Sequence, residues 1–401
     1  MHDRRLSRGR LGRSAVVVAT VAGLLGAPAP ALGGPAPQPP AIAVSSPSAI
    51  LTEAGSGQVI YEKNSHERRS AASLTKLMTL VIALEAVEQG RARPDDEVVA
   101  SAHAASLGGT TIFLAQGERF SLADILKSVA VGSANDAAVA LAEHISGSEQ
   151  AFVEEMNRKA AELGLSDTRF ANSHGLDAEG QYTSAHDLAV LARYAVNVPG
   201  LLQLTSIYHD EIKGHRKSAF HLDNFNKLLV FYEGTDGLKT GYTDRARACV
   251  AATAKRGETR MIAVILGSTS GAVRQTEVER LLNYGFANYQ SVAIAGRGEA
   301  AGSPVAVLRG TSFFVQPVAA GAFGVAVRKG QTEGLQRKVQ QEGRVEAPVR
   351  QGQVLGYLIV TRGEQELGRV ALIAPQDIPR AGFANLAWGL LRRLFWPASG
   401  D

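Results

Sequence analysis

A mixed α/β domain, followed by a small all-β domain and an amphipathic C-terminal helix, is the architecture this 401-residue sequence predicts. Three observations predict it. Two strand-turn-strand patterns, near residues 50–63 and 248–268, flank a largely helical stretch. From about Ser291 the texture changes to short strands at regular spacing, split by Gly and Pro. The last residues put their apolar side chains on one helical stripe. The length favours two domains, and a composition 45% hydrophobic and 20% charged is that of a globular chain able to bury a core.

The N-terminus stands apart. Arg4, Arg5, Arg8, Arg10 and Arg13 precede the apolar run Ser14 to Gly26, and small residues follow at Ala29-Pro30-Ala31. A charged start, a short apolar middle and a small-residue exit read as a secretory signal peptide over 1–31. The run falls well short of the ~20 residues a membrane span needs. A proline-rich linker is expected over 32–44. With only Asp3 against its arginines, the leader carries the whole net charge of +4. The exported remainder is close to neutral, so no basic footprint for nucleic acid survives.

The first hairpin pairs Ile50-Leu51 with "QVIYEKN" across Gly55-Ser56-Gly57. A helix is predicted from about Ala72 to Glu88. "SLADILKSVAVG", "NDAAVALAEHISG", "EQAFVEEMNRKAAELG" and "SAHDLAVLARYAVN" carry apolar positions at helical spacing. Between them "ANSHGLDAEGQYT" reads as a polar loop. "ACVAATA" and "MIAVILGS" form the second hairpin around Lys255-Arg256-Gly257-Glu258, and "VRQTEVERLLNYGFANY" a closing helix. The one cysteine, Cys249, excludes an internal disulfide and reads as a buried, inert thiol. The whole of 45–289 is expected to be one domain, and 290–375 the all-β domain, a spacer or docking module without an acid, base or metal cluster.

In the tail, 376–401, Phe383, Leu386, Ala387, Leu390, Leu391, Leu394 and Phe395 share a stripe, beside Trp388, Trp396, Arg392 and Arg393. Paired arginines oppose spanning. Aromatics and arginines together suit a helix lying in a membrane surface.

The chemistry starts at "SAASLTKLMTL". Ser73 and Lys76 stand one turn apart, and no charge follows from Leu77 through Leu84. A lysine held at an apolar helix start is desolvated, which lowers its pKa and lets it act as a base. A neutral amine within reach can activate a serine hydroxyl. Ser-x-x-Lys alone is nearly worthless, since it occurs roughly once by chance in a chain this long. Two later triplets change that: Ser133-Ala134-Asn135 opening a helix, and Lys239-Thr240-Gly241 on a strand. Their order and wide spacing are those of the serine penicillin-recognising enzymes.

The chain from about Ser45 to Tyr289 resembles the low-molecular-weight penicillin-binding proteins that are D-alanyl-D-alanine carboxypeptidases. "ASLTKLMT", "GSANDA", "HGLDAEGQYTSAHDLA" and "GLKTGYT" carry the resemblance, and the β-domain and amphipathic tail extend it over nearly the whole exported chain. Ala134 stands where relatives often have glycine or aspartate, at a position of spacing rather than chemistry. The resemblance implies a serine β-lactamase/transpeptidase-like fold: an antiparallel sheet with helices on both faces beside a helical lobe, the site between them. It implies that Ser73 attacks the carbonyl between two D-alanines while Lys76 takes its proton. Backbone N–H groups of Ser73 and Tyr242 would form the oxyanion hole. Ser133 would relay a proton to the leaving amine and Asn135 hold the substrate amide. Lys239, Thr240, Gly241 and Arg274 would receive the terminal carboxylate, a guanidinium suiting that role. No cofactor or metal is implied. The expected partners are peptidoglycan stem peptides, β-lactam inhibitors and, through the tail, the outer face of the cytoplasmic membrane.

Rival readings are a D,D-endopeptidase with the same residues, a β-lactamase, and a silent wall-binding scaffold. Asp177 and Glu179 lie where a class A β-lactamase would place its deacylating glutamate, but the Glu-x-x-x-Asn pattern is absent, so loop solvation is the expectation for both. No H-E-x-x-H occurs, which disfavours a zinc peptidase. His209, His215 and His221 are expected to be exposed.

Overall fold

The computed structural model describes residues 42–382. The predicted signal peptide and residues 383–401 of the predicted tail lie outside those residues; 376–382, expected to begin the anchor, are not helical but dock on the β region, where Ile378 is buried and pairs with Val349. A five-stranded antiparallel sheet forms the centre, in the order Val59–Lys63, Ser48–Glu53, Thr259–Ser268, Arg247–Arg256, Thr235–Thr243. Both predicted hairpins are present in it. The strand that carries Lys239 is an edge, so its outer side is open to a cleft.

Strict alternation makes this sheet two-faced. Ile262, Val264 and Leu266 point into a core shared with the helical lobe, whereas Met261, Ala263 and Ile265 point into a second core. Val278, Leu281, Leu282 and Phe286 of the closing helix Gly271–Asn288 cover that second face. Each such side chain contributes about 1.5–3 kcal/mol on leaving water. The lobe packs the helices Leu122–Ala130, Asn135–Ser146, Glu149–Glu162 and Ala185–Ala195 around the helix Lys76–Glu88. That central helix is buried along nearly its whole length, as a segment apolar all round must be. Ser121, Ser148, Ser184 and Ser270 start four of the helices by accepting a backbone N–H into their hydroxyls.

One boundary differs from the sequence reading. The predicted helix from Ala72 is a 3₁₀ turn over Ala72–Thr75 and becomes α-helical only at Lys76. Ala72 has φ 49, a left-handed conformation that no helix continues, and it sets the chain at a different angle into the helix.

Beyond the closing helix the chain is all β among the described residues. A four-stranded sheet runs Val318–Ala319, Gln365–Ile373, Val354–Arg362, Leu335–Gln341, and smaller sheets pair Tyr289–Ala295 with Phe323–Arg328 and group Val305–Leu308 with Phe314–Val315 and Arg344–Glu346. The strand Leu335–Gln341 was not expected from sequence: as an edge it is mostly polar and exposed, with Leu335 alone packed against the core.

A buried carboxylate joins the two regions. Glu53, at the end of the first strand, accepts hydrogen bonds from the N–H of Gly55 and of Ser56, from the Ser56 hydroxyl, and from the hydroxyl of Ser291 on the first strand of the β region.

Candidate active site

Ser73 lies in the 3₁₀ turn and Lys76 opens the α-helix one turn later. In a 3₁₀ turn residues i and i+3 eclipse, which stacks the two side chains and leaves Lys76 Nζ 3.1 Å from Ser73 Oγ. Lys76 is fully buried. Its Nζ donates to Asn135 Oδ1 at 2.6 Å and to the backbone carbonyl of His174 at 2.5 Å. Burial pushes its pKa well below the ordinary lysine value; the charge of Lys239 adds to this and Asp136 opposes it.

The three contacts are compatible with a neutral amine. Two carbonyl-type oxygens can only accept, and a neutral amine has two hydrogens to give them. In that neutral form the lone pair is left for the Ser73 hydroxyl, which then donates to it; in the charged form Lys76 donates to Ser73 Oγ. The orientation of the Asn135 amide is fixed independently, since its nitrogen donates to the Gly108 carbonyl at 2.7 Å.

Ser133 and Asn135 sit where the helix Asn135–Ser146 begins, with Ala134 as its N-cap. Ser133 is buried and holds φ 59, a strained value for a non-glycine residue. Its hydroxyl has no hydrogen-bond partner among the described residues. Asp136 steadies this corner, its carboxylate accepting from the N–H groups of Ile112, Leu114 and Ala137.

The opposite wall is the edge strand. Lys239 and Thr240 are buried there and Tyr242 is exposed. Burial, reinforced by Arg274, pushes the Lys239 amine down to about 7. Gly241 is the point of closest approach: a Cβ on it would lie 2.9 Å from the Ala71 carbonyl oxygen and 2.9 Å from Ser73 N. Only glycine lets the strand come so near the nucleophile's backbone. Arg274, in the first turn of the closing helix, donates to the Cys249 carbonyl at 3.2 Å. Cys249 pairs with Gly241 across the two strands, so the guanidinium reaches the cleft from behind the strand that carries Lys239. A buried and a half-buried cation, Lys239 and Arg274, close enough to influence each other, form a place for a carboxylate. Cys249 itself is buried, and desolvation lifts its thiol to about 11.

The structure also brings in residues that the sequence reading assigned to an ordinary loop. The segment 171–183 passes under the turn that holds Ser73. There Gly175 has φ +90, and a Cβ on it would lie 2.1 Å from the Ala72 carbonyl oxygen. The loop is held by Ser173, whose N–H and hydroxyl donate to Glu149 Oε1 and whose carbonyl accepts from Thr79 Oγ1. His174 then offers its carbonyl to Lys76. Burial pushes its imidazole down to about 4, against the pull of Glu149, so the ring is neutral near pH 7. The glycine after His174 was the one signal that a backbone approaches closely here. His209, His215 and His221 are exposed, as expected.

Comparison with known proteins agrees with this geometry. Residues 35–270 match the family D-alanyl-D-alanine carboxypeptidase, and residues 289–380 match the family penicillin-binding protein 5, C-terminal domain. The chain is 38% identical to D-alanyl-D-alanine carboxypeptidase DacF of Bacillus subtilis over 343 residues, which cover 85% of this chain and 88% of that protein. It is 30% identical to D-alanyl-D-alanine carboxypeptidase DacA of Escherichia coli over 372 residues, 88% of each chain. Penicillin-binding protein 5 of Haemophilus influenzae superposes with a TM-score of 0.69 at 29% identity, covering 86% of this chain and 99% of that one. Penicillin-binding protein D2 of Listeria monocytogenes, solved in an ampicillin-bound form, superposes with a TM-score of 0.56 at 31% identity, over 62% of this chain and all of that one. With its sheet-and-helix catalytic domain and its C-terminal all-β domain, the chain belongs to the serine-type D-alanyl-D-alanine carboxypeptidases, the low-molecular-weight penicillin-binding proteins.

Proposed function

We propose that this protein is an exported D,D-carboxypeptidase that removes the terminal D-alanine from peptidoglycan pentapeptides through an acyl-enzyme on Ser73, and that β-lactams inhibit it by occupying the same serine. The observation that carries the reading is the set of contacts at Lys76 Nζ, two to carbonyl oxygens and one to the Ser73 hydroxyl.

Lys76 takes the Ser73 proton as Oγ attacks the carbonyl between the two D-alanines. Charge develops on the carbonyl oxygen, where the backbone N–H groups of Ser73 and Tyr242 receive it. The proton reaches the leaving amine through Ser133, whose hydroxyl has no competing hydrogen bond. Asn135 keeps one amide hydrogen for the substrate after serving Gly108. Lys239, Arg274 and the Thr240 hydroxyl, set by the close approach at Gly241, hold the terminal carboxylate. That grip selects a free chain end. Water then hydrolyses the ester, with Lys76 again as base.

The C-terminal segment 383–401 is proposed to lie as an amphipathic helix on the outer face of the cytoplasmic membrane, supported by the stripe of Phe383, Leu386, Leu390, Leu394 and Phe395 beside Trp388, Trp396, Arg392 and Arg393. The leader over 1–31 supports export.

Intact-mass spectrometry with benzylpenicillin tests the mechanism. A slowly decaying adduct on Ser73 is expected, together with loss of both the adduct and D-alanine release in Ser73→Ala. Unchanged D-alanine release by Ser73→Ala would overturn the reading. Penicillin consumed without a lasting adduct would point to a β-lactamase.

A further inference from the structure

Two walls meet at Ser73. One is the turn that begins after Ser70; the other is the edge strand, which presses Gly241 against Ser73 N and continues through Tyr242 to Thr243. Asp177 touches both walls. Its Oδ1 accepts from Ser70 Oγ at 2.8 Å and from Thr243 Oγ1 at 3.1 Å. Thr243 Oγ1 also accepts from the Ala246 N–H at 3.0 Å. A hydroxyl has one hydrogen, so that of Thr243 goes to Asp177.

Holding the loop is work done by other residues. Asn172 Oδ1 accepts from the Gly175 N–H, Gln181 Oε1 accepts from the Ala171 and Asn172 N–H groups, Gln181 Nε2 donates to the Leu176 carbonyl, and Glu149 holds Ser173. The Asp177 carboxylate spends its hydrogen bonds outside the loop, on the two cleft walls. It is exposed, but solvation alone would not converge two hydroxyls on one oxygen.

We propose that Asp177 is a positioning residue for the oxyanion hole. It bridges the two walls and sets the separation of the backbone N–H groups of Ser73 and Tyr242. The proposal rests on the Ser73 acyl-enzyme reading. An oxyanion hole acts only if its donors stand where the charge will develop, and displacements of an ångström are costly. Ser70 lies in the approach to the Ser73 turn and Thr243 next to Tyr242, so one oxygen ties the segments that carry both donors, beside the direct contact at Gly241. The bridge needs an acceptor rather than a charge. A carboxylate makes the stronger hydrogen bonds, yet its charge opposes a nearby oxyanion.

Single-turnover acylation by benzylpenicillin, followed by mass at Ser73 over a range of drug concentrations, separates the acylation rate constant from the half-saturating concentration. In Asp177→Ala the rate constant is expected to fall about 10- to 100-fold with half-saturation little changed. Asp177→Asn, which keeps an acceptor, is expected to stay within about threefold of the unaltered protein. Ser70→Ala severs one arm without touching the loop and is expected to give a smaller loss, and combining it with Asp177→Ala should lower the rate no further than Asp177→Ala does. An unchanged rate in either Asp177→Ala or Ser70→Ala overturns the proposal, as does an Asp177→Asn rate as low as that of Asp177→Ala, which would make the charge the active feature. Absence of any adduct from the unaltered protein would overturn the Ser73 reading and this inference with it.

Discussion

The catalytic region and the C-terminal β region bury very different kinds of residue. The interior of the catalytic region holds Lys76, Lys239, Ser133, Asn135, Asp136, Asn224 and Asn226; among the described residues beyond 289, Thr361 is the only buried polar side chain. The β region is built from valine, leucine, isoleucine, alanine and phenylalanine in two apolar clusters. Burying a polar group costs free energy unless every hydrogen bond is replaced. A chain that does so repeatedly in one region, and almost nowhere in the other, keeps its chemistry in the first and uses the second as a body. Exchange of residues should therefore be punished differently in the two.

Gly175→Ala should show the largest effect. A methyl group would meet the Ala72 carbonyl oxygen at 2.1 Å in a left-handed backbone, so the loop must retreat and take the His174 carbonyl from Lys76. A fall in kcat/KM of about 100-fold or more is expected, read by D-alanine release. A change under threefold would mean that the loop can retreat without disturbing the base.

The pH profile sharpens the same contrast. Lys76 must be neutral to act, so activity is lost as pH falls through its lowered pKa and the amine gains a proton. Lys239 must be charged, and with its pKa pushed down to about 7 by burial and then by Arg274 it loses that charge as pH rises. The profile of kcat/KM, which reports the free enzyme, should bend downward above about pH 7, by up to tenfold per unit and less where Arg274 compensates. In kcat the bend should move to higher pH, because a bound carboxylate favours the charged amine. A flat kcat/KM between pH 7 and 9 would remove Lys239 from carboxylate binding.

The smallest effect on catalysis is expected from removing residues 383–401. Hydrolysis of a soluble peptide ending in D-alanyl-D-alanine should keep its kcat/KM within about twofold, while co-sedimentation with anionic lipid vesicles is lost. Equal sedimentation with and without the segment would sink the membrane-surface role, and a large loss of activity would tie the tail to the cleft.

The legible parts of this molecule are those where side chains carry the signal. The hairpins around Gly55-Ser56-Gly57 and Gly257 followed from turn residues between apolar runs, and the helical lobe from spacing. Ser73, Lys76, Ser133, Asn135 and Lys239 were singled out because three short motifs follow one another in a set order. What escaped was written in the backbone. The second acceptor of Lys76 is the carbonyl of His174, which any residue possesses, so no side chain announces it. The 3₁₀ turn at Ala72 depends on a φ that alanine seldom takes. Asp177 was given to solvent because an aspartate in a polar loop is common, and only the fold shows Ser70 and Thr243 arriving on either side of it. Leu335–Gln341 lacks the apolar alternation by which strands are recognised.

The Glu53 joint has a consequence for reach. One carboxylate accepts hydrogen bonds from the first hairpin and from Ser291, so the two regions share an interior group rather than a linker. Such a shared group restrains bending where the two regions meet. If the far end of the β region is held, the cleft sweeps a shell of nearly fixed radius, and the local concentration of chain ends in that shell sets how often it works. With the proposed membrane attachment, breaking the joint would leave every reacting atom in place and change how far from the membrane the cleft works.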